Sequence, residues 1–96
     1  MNAATLATPA VDRLRAVAIR RNGKVHSAAK GGSHYQLRVS LSGADQKFLG
    51  DVEGFITEAG NFLTRHEAVG VGVLSGQLHE SWLQARRDLL SSDINW

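Results

Sequence analysis

The chain contains no cysteine and no long hydrophobic run. The missing cysteine excludes disulfides, a thiolate nucleophile and cysteine-ligated zinc, and it fits a reducing compartment. No stretch approaches the about 18 consecutive apolar residues of a membrane-spanning helix. The N-terminus also lacks the charged start and the apolar block of a secretory signal. We therefore expect a cytoplasmic protein.

The size and the hydrophobic content indicate one folded domain. A chain of 96 residues has the size of one domain. The hydrophobic fraction of 43% is too high for a disordered protein. Residues 1–7 are small and polar and are predicted to form a flexible tail. Residues 8–96 are predicted to form a single α+β domain.

The first predicted element is a helix over residues 9–21. Thr8 can cap it and Pro9 suits the first helical position, while Asn22-Gly23 can end it. The same Asn-Gly pair is also typical of a two-residue hairpin turn, which would make residues 15–21 and 24–29 paired strands. The helix is favoured because its cap is good and the alternation of apolar and polar residues is poor.

A strand is predicted over residues 34–42, where apolar and polar residues alternate. In this pattern Tyr35 and Leu37 point to the core and Arg38 points to water. The glycine-containing stretch 29–33 is typical of a turn. Residues 24–28 are therefore expected to pair with the strand as an antiparallel hairpin.

Two amphipathic helices are predicted in the second half of the chain. The first extends from about residue 45 to residue 65, with Phe48 and Phe55 on one apolar stripe. The second follows Ser75 and carries Trp82 on its apolar line. Between them, residues 68–74 suit a short strand or a tight glycine loop. The predicted fold class is α+β: an N-terminal helix or extra strand, an antiparallel β-hairpin, and two amphipathic helices packed on one sheet face.

Charge is distributed unevenly along the chain. Up to Ser42 there are seven basic residues and one acidic residue, a net charge of +6. From Gly43 on there are four basic and eight acidic residues, a net charge of −4. This asymmetry suggests an acidic partner for one half, or contact between opposite halves of neighbouring copies. The two halves could equally attract each other within one fold.

The stretch from residue 20 to residue 38 is basic and contains no carboxylate. Its glycines would let a ligand backbone approach closely. Its one aromatic residue, Tyr35, is assigned to the core, so we expect contacts to phosphate or to an acidic protein surface without base selectivity. The predicted contact residues are Arg20, Arg21, Lys24, Lys30 and Arg38.

A second candidate site is a surface that would contact another protein. Gly50 and Gly54 would form a ridge of small residues on the predicted core helix, where a second copy could approach. Trp82 and Arg86 could belong to a partner-binding face, although a core position for Trp82 fits the same pattern. These residues predict, as the alternative function, a protein-interaction module or inhibitor that forms a homodimer.

Signals for catalysis, metals and cofactors are weak. Gly70, Gly72 and Gly76 superficially resemble a dinucleotide loop, but no second strand remains to complete that unit. The four histidines show no metal-binding spacing, and no serine lies in a nucleophile elbow. We therefore predict no catalytic residue, no metal and no cofactor. The favoured function is a small non-enzymatic binding protein whose basic half contacts nucleic-acid phosphate or an acidic protein.

Overall fold

A computed structural model of the protein describes residues 12–44 and 46–96. Within these residues the chain forms four strands and two α-helices, in the order β1 (Leu14–Arg21), β2 (Lys24–Ser27), α1 (His34–Ser42), β3 (Val52–Thr57), β4 (Phe62–Thr64) and α2 (Arg65–Leu74). Two 3₁₀ turns follow, at Glu80–Gln84 and Ser91–Asp93. The strands form one antiparallel sheet in the order β2-β1-β3-β4. The predicted tail over residues 1–7, with Thr8 and Pro9, lies outside the described residues.

The predicted helix over residues 9–21 is wrong wherever it is described, because β1 and β2 form a hairpin there. Asn22 and Gly23 both have positive φ, 52° and 76°, as a tight two-residue hairpin turn requires. Val17 and Ile19 are fully buried and so are the alanines beside them. A strand that is buried on both faces has a continuous run of apolar residues. This explains why its sequence shows no alternation of apolar and polar residues.

The predicted core helix over residues 45–65 is also wrong. Its place is taken by β3 and β4, and β3 pairs with β1 so that Phe55 lies opposite Val17. Gly50 and Gly60 have φ of 87° and 90°, a conformation that ends regular structure on each side of β3. The apolar spacing of this segment fits a helix and a pair of short strands equally well.

The predicted strand over residues 34–42 is helix α1. Ser33 and Gln36 form a capping box, in which each side chain accepts a hydrogen bond from the other residue's backbone N–H. Gly43, with φ of 74°, closes the helix. Leu37 is in the core, but Tyr35 is exposed, so its predicted core position is wrong.

The end of the chain differs from the prediction in the same way. Residues 68–74 lie in helix α2. This helix begins with a second capping box, formed by Thr64 and Glu67. The predicted final helix is absent from the described residues. Gln77, where it would begin, instead binds the backbone N–H and carbonyl of Leu14 through its side-chain amide. The segment beyond it crosses the core in an irregular path with two 3₁₀ turns.

The core lies on one face of the sheet. The sheet contributes Val17, Ile19 and Phe55, and the two helices and the C-terminal segment pack against them through Leu37, Ala68, Leu78, Leu89 and Ile94. The architecture is roughly α+β, but the predicted arrangement of one hairpin and two long helices is wrong. In the part of the chain that the structure describes, neither helix is long and apolar enough to cross a membrane.

Candidate functional site

Two of the five predicted phosphate contacts are held in ion pairs within the molecule. Arg21 donates from Nε and Nη2 to the two carboxylate oxygens of Asp51, at 2.9 and 2.8 Å. Hydrogen bonding from Arg21 lowers the pKa of Asp51 to about 2, although burial alone would raise this pKa. Arg38 donates from Nη1 to Glu53 Oε2 at 2.6 Å. Both arginines therefore have a structural role.

Glu53 is the centre of this internal charge network. Its side chain is 8% exposed, and Arg65 donates to Oε1 at 2.8 Å while Lys47 lies 3.8 Å from the same oxygen. Burial alone would raise the pKa of Glu53, but the hydrogen bonds from Arg38 and Arg65 prevail and lower it. One carboxylate thus joins α1, α2 and the loop before β3.

His34 lies beside this network as a buried neutral group. Its Nε2 is 2.7 Å from the carbonyl oxygen of Gly54, and because a carbonyl only accepts, Nε2 carries the proton. The ring packs edge-on against Phe55 at a centroid distance of 5.3 Å. Burial lowers the pKa of His34, and the positive charge of Arg65 acts in the same direction.

The other three predicted contacts, Arg20, Lys24 and Lys30, are exposed and form no ion pair within residues 12–44 and 46–96. Arg20 lies on the sheet face opposite the core, where its guanidinium is 4.9 Å from the ring centroid of Phe62. Lys24 is the first residue of the edge strand β2, and Lys30 lies in the turn three residues after that strand ends.

Tyr35, on the helix that follows Lys30, is exposed and was missed as a site residue. It lies in the first turn of α1, five positions after Lys30, and is 56% exposed. The sequence signal for this position was the capping box, since a helix beginning at residue 34 turns Tyr35 away from the buried Leu37. The structure thus leaves three cations and one aromatic ring exposed in a stretch without carboxylates.

The predicted glycine interface does not exist as a single ridge. Gly50 lies in the turn before β3, and Gly54 lies inside β3, where it is buried. A Cβ added to Gly54 would collide with the carbonyl of Leu63 on the neighbouring strand. Gly54 is therefore explained by close strand packing, and the predicted approach of a second copy along a helix is wrong.

Trp82 and Arg86 lie beside a groove, but they do not act as a pair. Trp82 is half-buried, and the guanidinium stacked on its ring at 4.3 Å belongs to Arg87, while Arg86 is exposed. Between the first turns of α2 and residues 82–89 there is a cavity of about 420 Å³, lined in part by Val69, Gly70, Trp82 and Leu83. We call this cavity the α2 groove.

Comparison with known proteins places the chain in a family. Residues 12–95 match the family described as phage T4 y16D protein. The chain belongs to this family. Neither the curated proteins nor the solved structures include a match. The family description names no activity, so the function of this y16D family member is argued from its own residues.

The chain also has an exposed apolar feature that sequence reasoning assigned to the core. Phe48 was predicted on the apolar stripe of a helix, but it lies with Leu49 in a turn before β3, where Leu49 is fully exposed. The signal that could have found them is Gly50, whose positive φ closes a turn. We call residues 47–51 the apolar turn.

Proposed function

We propose that this y16D family member is a small non-enzymatic protein that binds nucleic acid through backbone phosphates. The proposed contacts are Arg20, Lys24 and Lys30. The observation that carries the proposal is that these three cations are exposed in a stretch, residues 13–44, that contains no carboxylate. Lys24 and Lys30 have no ion pair within the described residues, and Arg20, which lies over the Phe62 ring and near Glu67, stays exposed. Exposed cations of this kind can replace the counterions of a phosphate chain.

The exposed ring of Tyr35 favours nucleic acid over an acidic protein surface. Proteins that bind single strands combine a basic track with aromatic side chains on which bases stack. The loop before α1 supplies a cation, Lys30, beside Gly31, and the first turn of α1 supplies an aromatic ring, Tyr35. A single stacking ring reads no base identity, so we propose binding with little sequence selectivity. We place this binding in the cytoplasm, in keeping with the cysteine-free sequence.

Fluorescence anisotropy with a labelled oligo(dT) of about 20 nucleotides tests the proposal. Three cationic contacts predict a dissociation constant in the range of about 10⁻⁴–10⁻⁶ M at physiological salt. They also predict a slope of log K against log salt of about −2 for single strands and about −3 for duplex. Steeper slopes would require more phosphate contacts than these residues provide.

Charge reversal identifies the contact residues. Changing Arg20, Lys24 and Lys30 together to glutamate should weaken oligo(dT) binding at least about tenfold and remove most of the salt slope. Arg86→Glu is the control for the single variant Arg20→Glu, because both change the net charge by the same amount and Arg86 is exposed but lies on the C-terminal segment. Equal losses in these two single variants would mean that only net charge matters, and the proposed site would be wrong.

A second pair of variants isolates the aromatic contribution. Tyr35→Ala should weaken single-strand binding by about 5- to 160-fold, because one stacked base contributes about 1–3 kcal/mol, whereas Tyr35→Phe should bind normally. Poly-L-glutamate serves as the competing acidic polypeptide. If it binds as tightly as oligo(dT), and Tyr35→Ala leaves both affinities unchanged, the partner is an acidic protein and the nucleic-acid proposal fails.

A further inference from the structure

The apolar turn presents Phe48 and Leu49 to water in a fixed conformation. The backbone N–H of Asp51 donates to the carbonyl of Phe48 at 3.0 Å, and the N–H of Phe48 donates to the Asp51 carboxylate at 3.0 Å. Arg21 donates two hydrogen bonds to that carboxylate, and its guanidinium lies 3.9 Å from the centroid of the Phe48 ring. The turn is therefore preorganised, which lowers the entropy that binding a partner would cost.

The α2 groove has a shape that can receive such a turn. Its apolar lining comes from Val69, Trp82 and the largely exposed Leu83. At Gly70, no atom lies within 4 Å of the position that a Cβ would occupy, so the groove reaches the helix backbone. The stacking of Arg87 on Trp82 fixes one wall. A tryptophan is among the commonest anchor residues of protein interfaces, and here it is half-buried in the wall of a groove.

The charges of the two features are complementary. The two arginines that line the groove are each paired with a carboxylate of the same chain, Arg65 with Glu53 and Arg87 with Asp93. Glu67 and Asp88, on the same lining, have no ion pair within the described residues. The groove therefore has a negative rim.

The apolar turn is flanked by positive charge instead. Its first residue is Lys47, which is 66% exposed although its Nζ lies 3.8 Å from Glu53 Oε1. Lys24, which has no ion pair within the described residues, lies at the same end of the sheet, just after the β1–β2 turn. A negative rim and a positive flank attract each other across an interface and suppress contact between like surfaces. The groove of one copy thus fits the turn of another copy electrostatically.

The two features adjoin on one end of the molecule. Lys47 of the apolar turn and Arg65 of the α2 groove approach the same oxygen of Glu53. In a two-fold symmetric dimer, a contact between the turn of one protomer and the groove of the other occurs twice. Because the turn and the groove adjoin, the two contacts form one closed interface. We propose that the chain forms a two-fold symmetric homodimer, in which the Phe48–Leu49 turn of each protomer enters the α2 groove of its partner.

Sedimentation equilibrium of the full chain tests the dimer. The wild-type protein should show twice the monomer mass. Leu49→Asp removes the turn contact and Leu83→Asp removes the groove contact, and each should raise the dimer dissociation constant at least about thirtyfold. Leu74→Asp is the matched control, because Leu74 is exposed at the far end of α2, outside both features, and should leave the mass unchanged.

Mixing the two monomeric variants gives the decisive result. A mixed dimer of Leu49→Asp and Leu83→Asp chains retains one intact turn-in-groove contact, whereas neither variant alone retains any. Equimolar mixing should therefore recover dimers that neither variant forms by itself. Because both leucines are exposed, urea unfolding curves should confirm that both variants are folded.

Three outcomes would overturn the proposal. These are a wild-type chain that remains monomeric, variants that dimerise as well as wild type, and a mixture that stays monomeric. The dimer and the proposed nucleic-acid site are tested separately. Leu49→Asp should leave the slope of oligo(dT) affinity against salt unchanged, and Tyr35→Ala, a residue of neither the turn nor the groove, should still dimerise.

Discussion

Replacing Glu53 with glutamine removes a negative charge on which three cations converge. The carboxylate is almost fully buried, and the arginines that bind it, Arg38 and Arg65, are themselves only 15% and 19% exposed. Glutamine keeps the shape of the side chain but leaves both guanidiniums without a counter-charge. The variant therefore measures the electrostatic contribution of this network and changes the packing little.

The expected cost follows from the burial of the partners. Removing one member of a buried ion pair costs about 3–5 kcal/mol, and the remaining exposure of the arginines reduces this to about 2–3 kcal/mol. A domain of this size has a stability of about 5–14 kcal/mol, so the loss is a large fraction of it. Glu53→Gln should lower the melting temperature by on the order of 10–20 °C.

Urea unfolding followed by circular dichroism measures the loss directly. Glu58→Gln is the matched control, because Glu58 is exposed and has no ion pair within the described residues, and it should stay within about 0.5 kcal/mol of wild type. If Glu53→Gln is as stable as Glu58→Gln, the carboxylate does not hold α1 and α2 to the sheet and the reasoning fails.

The pH dependence gives an independent readout of Glu53. Because the pKa of Glu53 is lowered in the folded state, its contribution is present above about pH 4.5 and is lost as the pH falls through the lowered value. The stability difference between wild type and Glu53→Gln should therefore shrink below about pH 4.5. A difference that stays constant down to acid pH would contradict a charge-based role.

Three further predictions concern other described residues. Gly54→Ala should cost more than about 3 kcal/mol in urea unfolding, because its Cβ meets the carbonyl of Leu63, whereas Gly70→Ala should stabilise the helix by about 0.5–1 kcal/mol. NMR titration should give His34 a pKa below 6.5, and stability should fall as the pH drops below 6.5 because the unfolded chain binds that proton more readily. The destabilisation by Asp51→Asn should persist from neutral pH to about pH 4 and vanish near pH 2, where the wild-type carboxyl protonates.

Two local signals in the sequence agree with the structure, whereas a third was misleading. Asn22-Gly23 is a hairpin turn, although the cap at Thr8 favoured a helix before it, and the capping box at Ser33 begins a helix, although apolar alternation favoured a strand. Periodicity over eight or nine residues fits both a helix and a buried strand. Giving the Asn22-Gly23 turn priority over the Thr8 cap, and the Ser33 cap priority over alternation, would have predicted β1, β2 and α1.

The second half could not be predicted from periodicity alone. The apolar positions around Phe55 follow helical spacing, yet β3 has to fill the place between β1 and β4 in the sheet. The contact that specifies this arrangement joins β1 to β3, over thirty residues apart in the chain. Such nonlocal pairing overrides local propensity. The local indications were the glycines at positions 50 and 60, each with positive φ, and the Thr64–Glu67 capping box that begins α2.

The candidate phosphate site depends on the same pairing. Ile19 faces the core opposite Glu53, so Arg21, two residues further on, shares the core face and meets Asp51. Arg20 lies between them and points to the other face, where no carboxylate pairs with it among the described residues. A one-residue shift in the register would exchange the two arginines, because neighbouring strand residues face opposite sides. Arg20 and Arg21 are adjacent and chemically identical, and only the β1–β3 register gives them different roles. The composition of a basic stretch therefore cannot reveal which of its cations remain available to a ligand.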